Sequence, residues 1–268
     1  LELTDSVTEK HLIKCLGEDC AFLFSTKTVT GVDFFKMNPP MFWLDDSSVL
    51  VEGCLLVRAS RNQTGGIYDA SRAVIKDWSS TNIRVESQGA DKRADSIQRA
   101  VILEAQTENP FLVFDDDGAG EIADVIAMYE RESDVLVRFY HCKYSREDTP
   151  GIRINEIYEI CGQAQKSVKW AGSKEAIVEH FRKREKNRIK AGRVSRFETG
   201  GMPELNAFLA LAKQKRVRFE VVLAHPGMSH AGLSSNTDQA RNILRILAST
   251  ASYLSETFEI KMHLVINR

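Results

Sequence analysis

The alternation of apolar and polar positions divides the chain into two parts. Residues 1–88 contain two apolar stretches, "CAFLFSTKTVTGVDFF" and "SSVLVEGCLLVRAS", which predict strands on either side of the turn-forming "MNPP". The segment "DASRAVIKDWSS" predicts a short helix. We place a boundary at "ESQGADK", so that a strand-rich unit of unknown role, residues 1–88, precedes a second domain, residues 89–268.

The second part begins with a helix and three short strands. The segment "ADSIQRAVILEAQTE" places Ile97, Val101 and Ala105 on one helical face. Strands are predicted for "NPFLVF", "IADVIAMY" and "VLVRFYHCKYS", and the last two are joined by "ERESD", a connection of hairpin length. A helix at "RINEIYEICGQAQKSVKW" and further helix–strand units follow. The predicted fold class is therefore α/β, with a mixed sheet flanked by helices.

The last of these three strands ends in two basic side chains. The face of this strand that carries Val137 also carries His141 and Lys143. Burying a lone ammonium is costly unless an anion pairs with it. If "RESD" is a hairpin loop, Met128 opposes Val137 and Asp124 opposes His141. We therefore expect Asp124 to be the anionic partner. A buried structural ion pair capped by a histidine would use the same residue types, and this alternative stays open.

An acidic, glycine-containing loop precedes Asp124. The sequence "FDDDGAGEIAD" contains Asp115, Asp116, Asp117 and Glu121, and its glycines allow the backbone to bend closely. Divalent ions such as Mg²⁺ prefer carboxylate oxygens and water as ligands. The loop is thus a candidate metal site, with a solvated acidic turn as the alternative.

The helix after the hairpin carries two glutamines. Gln165 projects within the apolar stripe that contains Ile157 and Cys161, whereas Gln163 projects to the opposite side. A glutamine within such a stripe needs a buried hydrogen-bond partner. A position at the solvent edge is the alternative.

The segment "HFRKREKNRIKAGRVSRF" is strongly basic in a chain whose net charge is only −1. Such local asymmetry is typical of a surface that contacts a polyanion, although a solvated basic helix has the same composition. Its candidate nucleic-acid contacts are Arg182, Lys183, Arg184, Lys186, Arg188, Lys190, Arg193 and Arg196. Acids for a metal, a lysine beside them and a basic surface together indicate phosphodiester cleavage.

Composition indicates a cytoplasmic protein that does not enter a membrane. The five cysteines include no CxxC pair, which argues against a disulfide framework and a zinc site. The N-terminus lacks a signal-peptide layout, and no apolar run is long enough for a membrane span. The loop with His225 and His230 contains no GxSxG elbow, and the chain has no Walker lysine loop.

The placement of Asp124 on one strand and "HCK" on the next, within helix–strand–strand–strand–helix order, resembles the PD-(D/E)xK nuclease superfamily, which has the restriction-endonuclease-like fold. The resemblance implies that Asp124 is a metal-binding acid and Lys143 the catalytic lysine. It also assigns Glu104 as the upstream helical glutamate and Gln165 as the downstream glutamine, with Gln163 as the fallback.

The sequence departs from the family pattern at His141, where the family usually has an acid. Binding of Mg²⁺ or Mn²⁺ would then depend on Asp124 together with Glu121, Glu104 or Asp117. His141 would serve as a nitrogen ligand or a proton acceptor.

Several segments are more loosely similar to nuclease-like domains at the C-terminus of bacterial superfamily 2 helicase proteins, which are associated with defence against foreign DNA. The similarity implies DNA as the partner and a helicase domain in the same native chain. RNA as a substrate and the oligomeric state are left open. The alternatives are an inactive restriction-like fold that binds DNA or a partner, and an unrelated enzyme for a small phosphorylated substrate.

Overall fold

The computed structural model describes residues 2–4, 12–18, 20–24, 27–37, 42–43, 49–51, 55–57 and 66–268. The chain separates into two compact units, Leu1–Thr64 and Gly65–Arg268. This division lies earlier than the boundary expected near residue 88. The reason is that Trp78 and Ile83 belong to the hydrophobic core of the larger unit, and Ile75 pairs with its last strand.

The described part of Leu1–Thr64 contains three small antiparallel sheets and one helix. Its elements are β1 (Glu2–Thr4), β2 (Leu12–Lys14), β3 (Ala21–Phe24), β4 (Lys27–Thr30), α1 (Gly31–Met37), β5 (Phe42–Trp43), β6 (Val49–Val51) and β7 (Leu55–Val57). The first apolar stretch thus ends as a helix rather than a strand. The Thr30 hydroxyl accepts a hydrogen bond from the Asp33 amide at 3.1 Å, as in a helix N-cap.

Residues 66–268 contain a seven-stranded mixed sheet, so the predicted α/β fold class is confirmed. Its strands are β8 (Val74–Ile75), β9 (Leu112–Asp115), β10 (Val125–Glu130), β11 (Asp134–Cys142), β12 (Phe197–Thr199), β13 (Arg216–Ser229) and β14 (Lys261–Asn267). The order across the sheet is β12-β9-β10-β11-β13-β14-β8. The half from β12 to β11 is antiparallel, and the half from β11 to β8 is parallel.

The β10–β11 hairpin has the predicted register. Met128 pairs with Val137 and Ile126 with Phe139, and the Arg131 amide donates to the Asp134 carbonyl across the loop. Asp124 immediately precedes β10, and Lys143 immediately follows β11. The chemistry-bearing residues therefore lie at the same end of two neighbouring strands.

Helices cover both faces of the sheet. They are α2 (Ile97–Thr107), α3 (Ile154–Ser167), α4 (Lys174–Lys190), α5 (Met202–Gln214), α6 (His230–Leu233) and α7 (Asp238–Phe258). Apolar residues of α2 pack on one face of the sheet, and those of α3, α4, α5 and α7 pack on the other. The side chains of Ser96, Ser173 and Thr237 cap the N-termini of α2, α4 and α7.

Aromatic stacking joins α4 to the sheet. The rings of Phe181 on α4 and Phe114 on β9 are nearly parallel, with centroids 4.1 Å apart. Stacked rings add to the stabilisation that burial provides. This contact sets α4 against the strand that leads into the acidic loop. Within the described chain, none of the helices has both the length and the apolar character needed to cross a membrane.

Candidate active site

Three carboxylates converge where β9 ends and β10 begins. One ligand oxygen from each of Asp117, Glu121 and Asp124 lies within 4.8 Å of the other two. Antiparallel pairing of β9 and β10 brings the two ends of the intervening loop together. Glu104, also predicted as a metal ligand, is not among these residues, because its carboxylate pairs with Lys76 instead.

The loop between β9 and β10 is shaped by its glycines. Gly118 and Gly120 have φ angles of 110° and 82°, a region that L side chains rarely adopt. The Gly118 amide donates to Oε2 of Glu121 at 2.7 Å, and the Ser87 hydroxyl donates to Oδ2 of Asp117. These hydrogen bonds orient two of the three carboxylates.

Asp124 is the most deeply placed carboxylate of the cluster. It is 3% exposed, and its Oδ2 accepts a hydrogen bond from the Cys142 amide at 2.9 Å. Burial raises the pKa of Asp124 well above its usual value, and the charges of Glu121, Glu86 and Asp117 raise it further. Burial likewise raises the pKa of Glu121. Within the described residues no member of the cluster forms an ion pair, although the positive charge of Arg184 partly offsets the rise in the pKa of Glu121.

The other two acids of the loop have structural partners. Asp116 is fully buried, and its carboxylate lies 2.9 Å from Nε2 of His180 and 2.6 Å from Nε of Arg184. Asp115 accepts hydrogen bonds from Nε2 of Gln98 at 2.8 Å and from Nε2 of Gln88 at 3.2 Å. Asp115 and Asp116 therefore belong to internal hydrogen-bond and ion-pair networks, and Asp117 is the one of the three aspartates that joins the cluster.

Gln98 is the α2 residue that faces the site. Besides Asp115, it donates to the backbone carbonyl of Asp124 at 3.1 Å. The predicted ligand was instead Glu104, which lies six residues further along the helix. The spacing of Gln98 from the buried Val101 and Ile102 could have indicated its inward position.

Lys143 has acidic partners other than the expected Asp124. Its Nζ lies 2.7 Å from Oε2 of Glu159 on α3 and 3.5 Å from Oε2 of Glu86. Burial alone would lower the pKa of Lys143, but the hydrogen bond to Glu159 and the charges of both glutamates outweigh it, and the net shift is upward. The ammonium therefore stays charged. Because Glu86 also raises the pKa of Asp124, it acts electrostatically on both predicted catalytic residues.

His141 is separate from the carboxylate cluster. The Ser167 hydroxyl donates to the Ala164 carbonyl, so Nε2 of His141, 3.1 Å from the same hydroxyl oxygen, is the donor of that hydrogen bond. Its Nδ1 is then an acceptor that is buried without a partner among the described residues. Burial lowers the pKa of His141 to about 3, so the imidazole is neutral near neutral pH.

The two glutamines of α3 have different surroundings. Nε2 of Gln165 donates to the Thr250 hydroxyl of α7 at 3.0 Å, so this side chain links two helices. Gln163 is spaced four residues from both Glu159 and Ser167, which contact Lys143 and His141. Its buried Oε1 has no hydrogen-bond partner within the described chain. Gln163, the fallback, is therefore the glutamine on the helix face towards the end of β11.

Three arginines of the basic segment donate to backbone carbonyls of the protein itself. Arg184 and Arg196 donate to backbone carbonyls of residues 115–119, and Arg188 donates to the Val194 carbonyl. The exposed members of the segment are Lys183, Lys186, Lys190 and Arg193, while Arg182 is partly buried and donates to Asn206. The segment thus supports the acidic loop in addition to presenting positive charge to solvent.

Comparisons with known proteins find no matching family model, no matching curated protein and no matching solved structure. The functional interpretation therefore depends on the residues described above.

Proposed function

We propose that the larger unit is a metal-dependent nuclease that hydrolyses phosphodiester bonds of DNA. The observation that carries the proposal is the convergence of Asp117, Glu121 and Asp124, none of which forms an ion pair within the described chain, at the strand end next to Lys143. The placement of Asp124 and Lys143 on neighbouring strand ends also supports the resemblance to PD-(D/E)xK nucleases. Through that resemblance, the proposal extends to DNA processing or defence against foreign DNA.

The carboxylate cluster has the donor chemistry that a hard divalent cation requires. It offers three carboxylate oxygens close enough to share one ion. Burial and then mutual repulsion raise the pKa of Asp124, and a positive charge would relieve the repulsion. Asp117, Glu121 and Asp124 would hold Mg²⁺ or Mn²⁺. An ion bound there would supply the chemistry of orienting the scissile phosphate and lowering the pKa of the attacking water.

Lys143 supplies the second element of the proposed chemistry. Its charged ammonium would stabilise the negative charge that develops on the phosphate in the transition state. Glu159, whose side chain is 42% exposed, holds the ammonium in place and can exchange for a substrate phosphate by moving towards solvent. Glu86 keeps a second negative charge near Nζ and so favours the protonated lysine throughout.

A cleavage assay tests the proposal. The full chain is incubated with linear, circular and single-stranded DNA and with RNA, in Mg²⁺, Mn²⁺ or chelator. We expect metal-dependent cleavage of DNA that falls by roughly 100-fold or more in Asp124→Asn and in Lys143→Gln, with DNA affinity within a few-fold of the original. Asp148→Asn removes a carboxylate whose side chain is 82% exposed and is the matched control. Cleavage that persists in chelator, or in Asp124→Asn, would contradict the assignment.

A second candidate function is a restriction-like fold that binds DNA without cutting it. It is favoured by His141, which stands where the family usually has an acid and is hydrogen-bonded to Ser167 rather than joined to the cluster. Salt-sensitive DNA binding with no cleavage under any metal condition would support this candidate over the nuclease.

A further inference from the structure

A pocket lined by arginines lies at the C-terminal end of α4, and two of its arginines, Arg184 and Arg196, also bind the acidic loop. Its volume is about 200 Å³, and it is lined by Arg184, Asn187, Arg188, Ala191, Arg193 and Arg196. None of these lining residues is acidic. The helix dipole disfavours an anion at this end of a helix, so any anion bound here would be held by the guanidinium groups.

Arg188 is a buried cation that forms no ion pair within residues 66–268. The residue is 8% exposed, its Nε donates to the Val194 carbonyl at 3.0 Å, and its Nη2 is buried without a hydrogen-bond partner in the described chain. A buried donor that lacks an acceptor is costly. Within residues 66–268 neither Arg188 nor Arg193 forms an ion pair, so both positive charges are available to a ligand.

The other two arginines of the pocket are shared with the acidic loop. Nε of Arg184 pairs with Asp116, and Nη1 of Arg196 lies 3.7 Å from Oδ1 of Asp115. Burial lowers the pKa of Arg196, and the neighbouring positive charges of Arg184 and Arg188 lower it further. The nearby Glu185 carboxylate accepts a hydrogen bond from the backbone amide of Arg196 at 2.9 Å.

We propose that this arginine pocket binds a phosphate group of the nucleic-acid substrate, apart from the carboxylate cluster. The planar guanidinium fork matches two phosphate oxygens at once, and Asn187 adds a neutral amide at the wall of the pocket. Arg184 and Arg196 also support the loop that carries Asp117. A phosphate held here would therefore fix the nucleic-acid strand relative to the carboxylate cluster. The identity of the ligand as nucleic acid rests on the proposed function.

The first test measures phosphate binding without DNA. The full chain is heated in chelator with inorganic phosphate, or with chloride at the same ionic strength. We expect phosphate to raise the unfolding temperature of the unmodified protein and of Arg245→Gln, a matched change at an exposed arginine of α7. Arg193→Gln and Arg188→Gln should reduce or abolish the shift. Arg193 is exposed, so its variant tests the pocket even if Arg188→Gln fails to fold. Equal stabilisation by phosphate and chloride would overturn the proposal.

The second test identifies the source of the phosphate. Fluorescence anisotropy in chelator compares labelled oligonucleotides with a 5′-phosphate, a 3′-phosphate or hydroxyl groups at both ends. Arg193→Gln should weaken binding by roughly tenfold, the loss expected for one charge-assisted hydrogen bond, and Arg245→Gln should leave it unchanged. Tighter binding of one phosphorylated end identifies a terminal phosphate, and equal binding identifies an internal phosphodiester. Equal losses in Arg193→Gln and Arg245→Gln would refute the pocket.

These measurements separate the pocket from the proposed nuclease activity. Asp124→Asn should retain the phosphate response, because Asp124 does not line the pocket. A protein that cuts DNA but shows no specific phosphate response would disprove the pocket alone. A protein that binds phosphate but never cuts would disprove the nuclease alone.

Discussion

Replacing Asp124 with asparagine should stabilise the metal-free protein at neutral pH. The carboxylate is 3% exposed and is surrounded by the negative charges of Glu121, Glu86 and Asp117. An asparagine oxygen can accept the same hydrogen bond from the Cys142 amide and carries no charge. The substitution therefore removes the repulsion and retains the one backbone contact that favours the carboxylate.

The sign of the pH dependence follows from the raised pKa of Asp124. An unfolded aspartate has a pKa of about 3.9, so below that pH the residue is protonated in both states and does not change the stability. Between that value and the raised folded pKa, the stability of the original protein falls by at most about 1.4 kcal/mol per pH unit for this one proton. The stability difference in favour of Asp124→Asn should be smallest at low pH, grow through this window and level off above it.

Urea unfolding followed by circular dichroism in chelator, repeated across the pH range, measures this difference. Asp148→Asn, the exposed control, should show little change at any pH. In a second arm, Mg²⁺ at about 100 times its dissociation constant should stabilise the original protein by about 2.7 kcal/mol, and the variant by much less. A variant that is less stable than the original at neutral pH in chelator would refute the reasoning, as would a difference independent of pH.

Three further substitutions test the packing around the site, each measured by urea unfolding. Phe181→Ala empties a fully buried position in the core and should cost about 3–5 kcal/mol; a loss below about 1 kcal/mol would contradict the packing. Arg184→Ala leaves the fully buried Asp116 without its closest cation and should cost about 3–5 kcal/mol, with faster amide exchange in the acidic loop. Burial acts to raise the pKa of Glu156, but His225 and other partners lower it overall. Glu156→Gln should therefore be less stable than the original protein at neutral pH. This loss of stability should shrink as the pH falls below about 4.3. A pH-independent deficit would argue against that pair.

Local patterns were sufficient to predict the hairpin and the acidic loop. A strand has a side-chain period of two, so the apolar face of β11 and the short connection determined the pairing of Met128 with Val137. The same register placed Asp124 at the strand end, and the glycines indicated a turn that gathers Asp117 and Glu121. These predictions depend on neighbours in sequence, which is why they could be made without the structure.

The partners of the buried basic groups could not be predicted in the same way. Glu86 reaches Lys143 from a segment before α2, and no spacing rule relates the two residues. The inward direction of the basic helix had a detectable signal, because Arg184 and Arg188 lie three and seven residues after Phe181 and therefore on its buried face. The local excess of positive charge instead suggested that these arginines face solvent.

The pairing of β8 with β14 has a consequence for biosynthesis. Val74 and Ile75 add to the sheet through Val265 and Ile266, close to the two ends of Gly65–Arg268. The nascent chain cannot complete this sheet until its final strand has left the ribosome, and such distant pairing slows folding. We expect a polypeptide that stops before Lys261 to leave an edge of β13 unpaired and to accumulate in the insoluble fraction during expression, which comparison with the full chain would reveal.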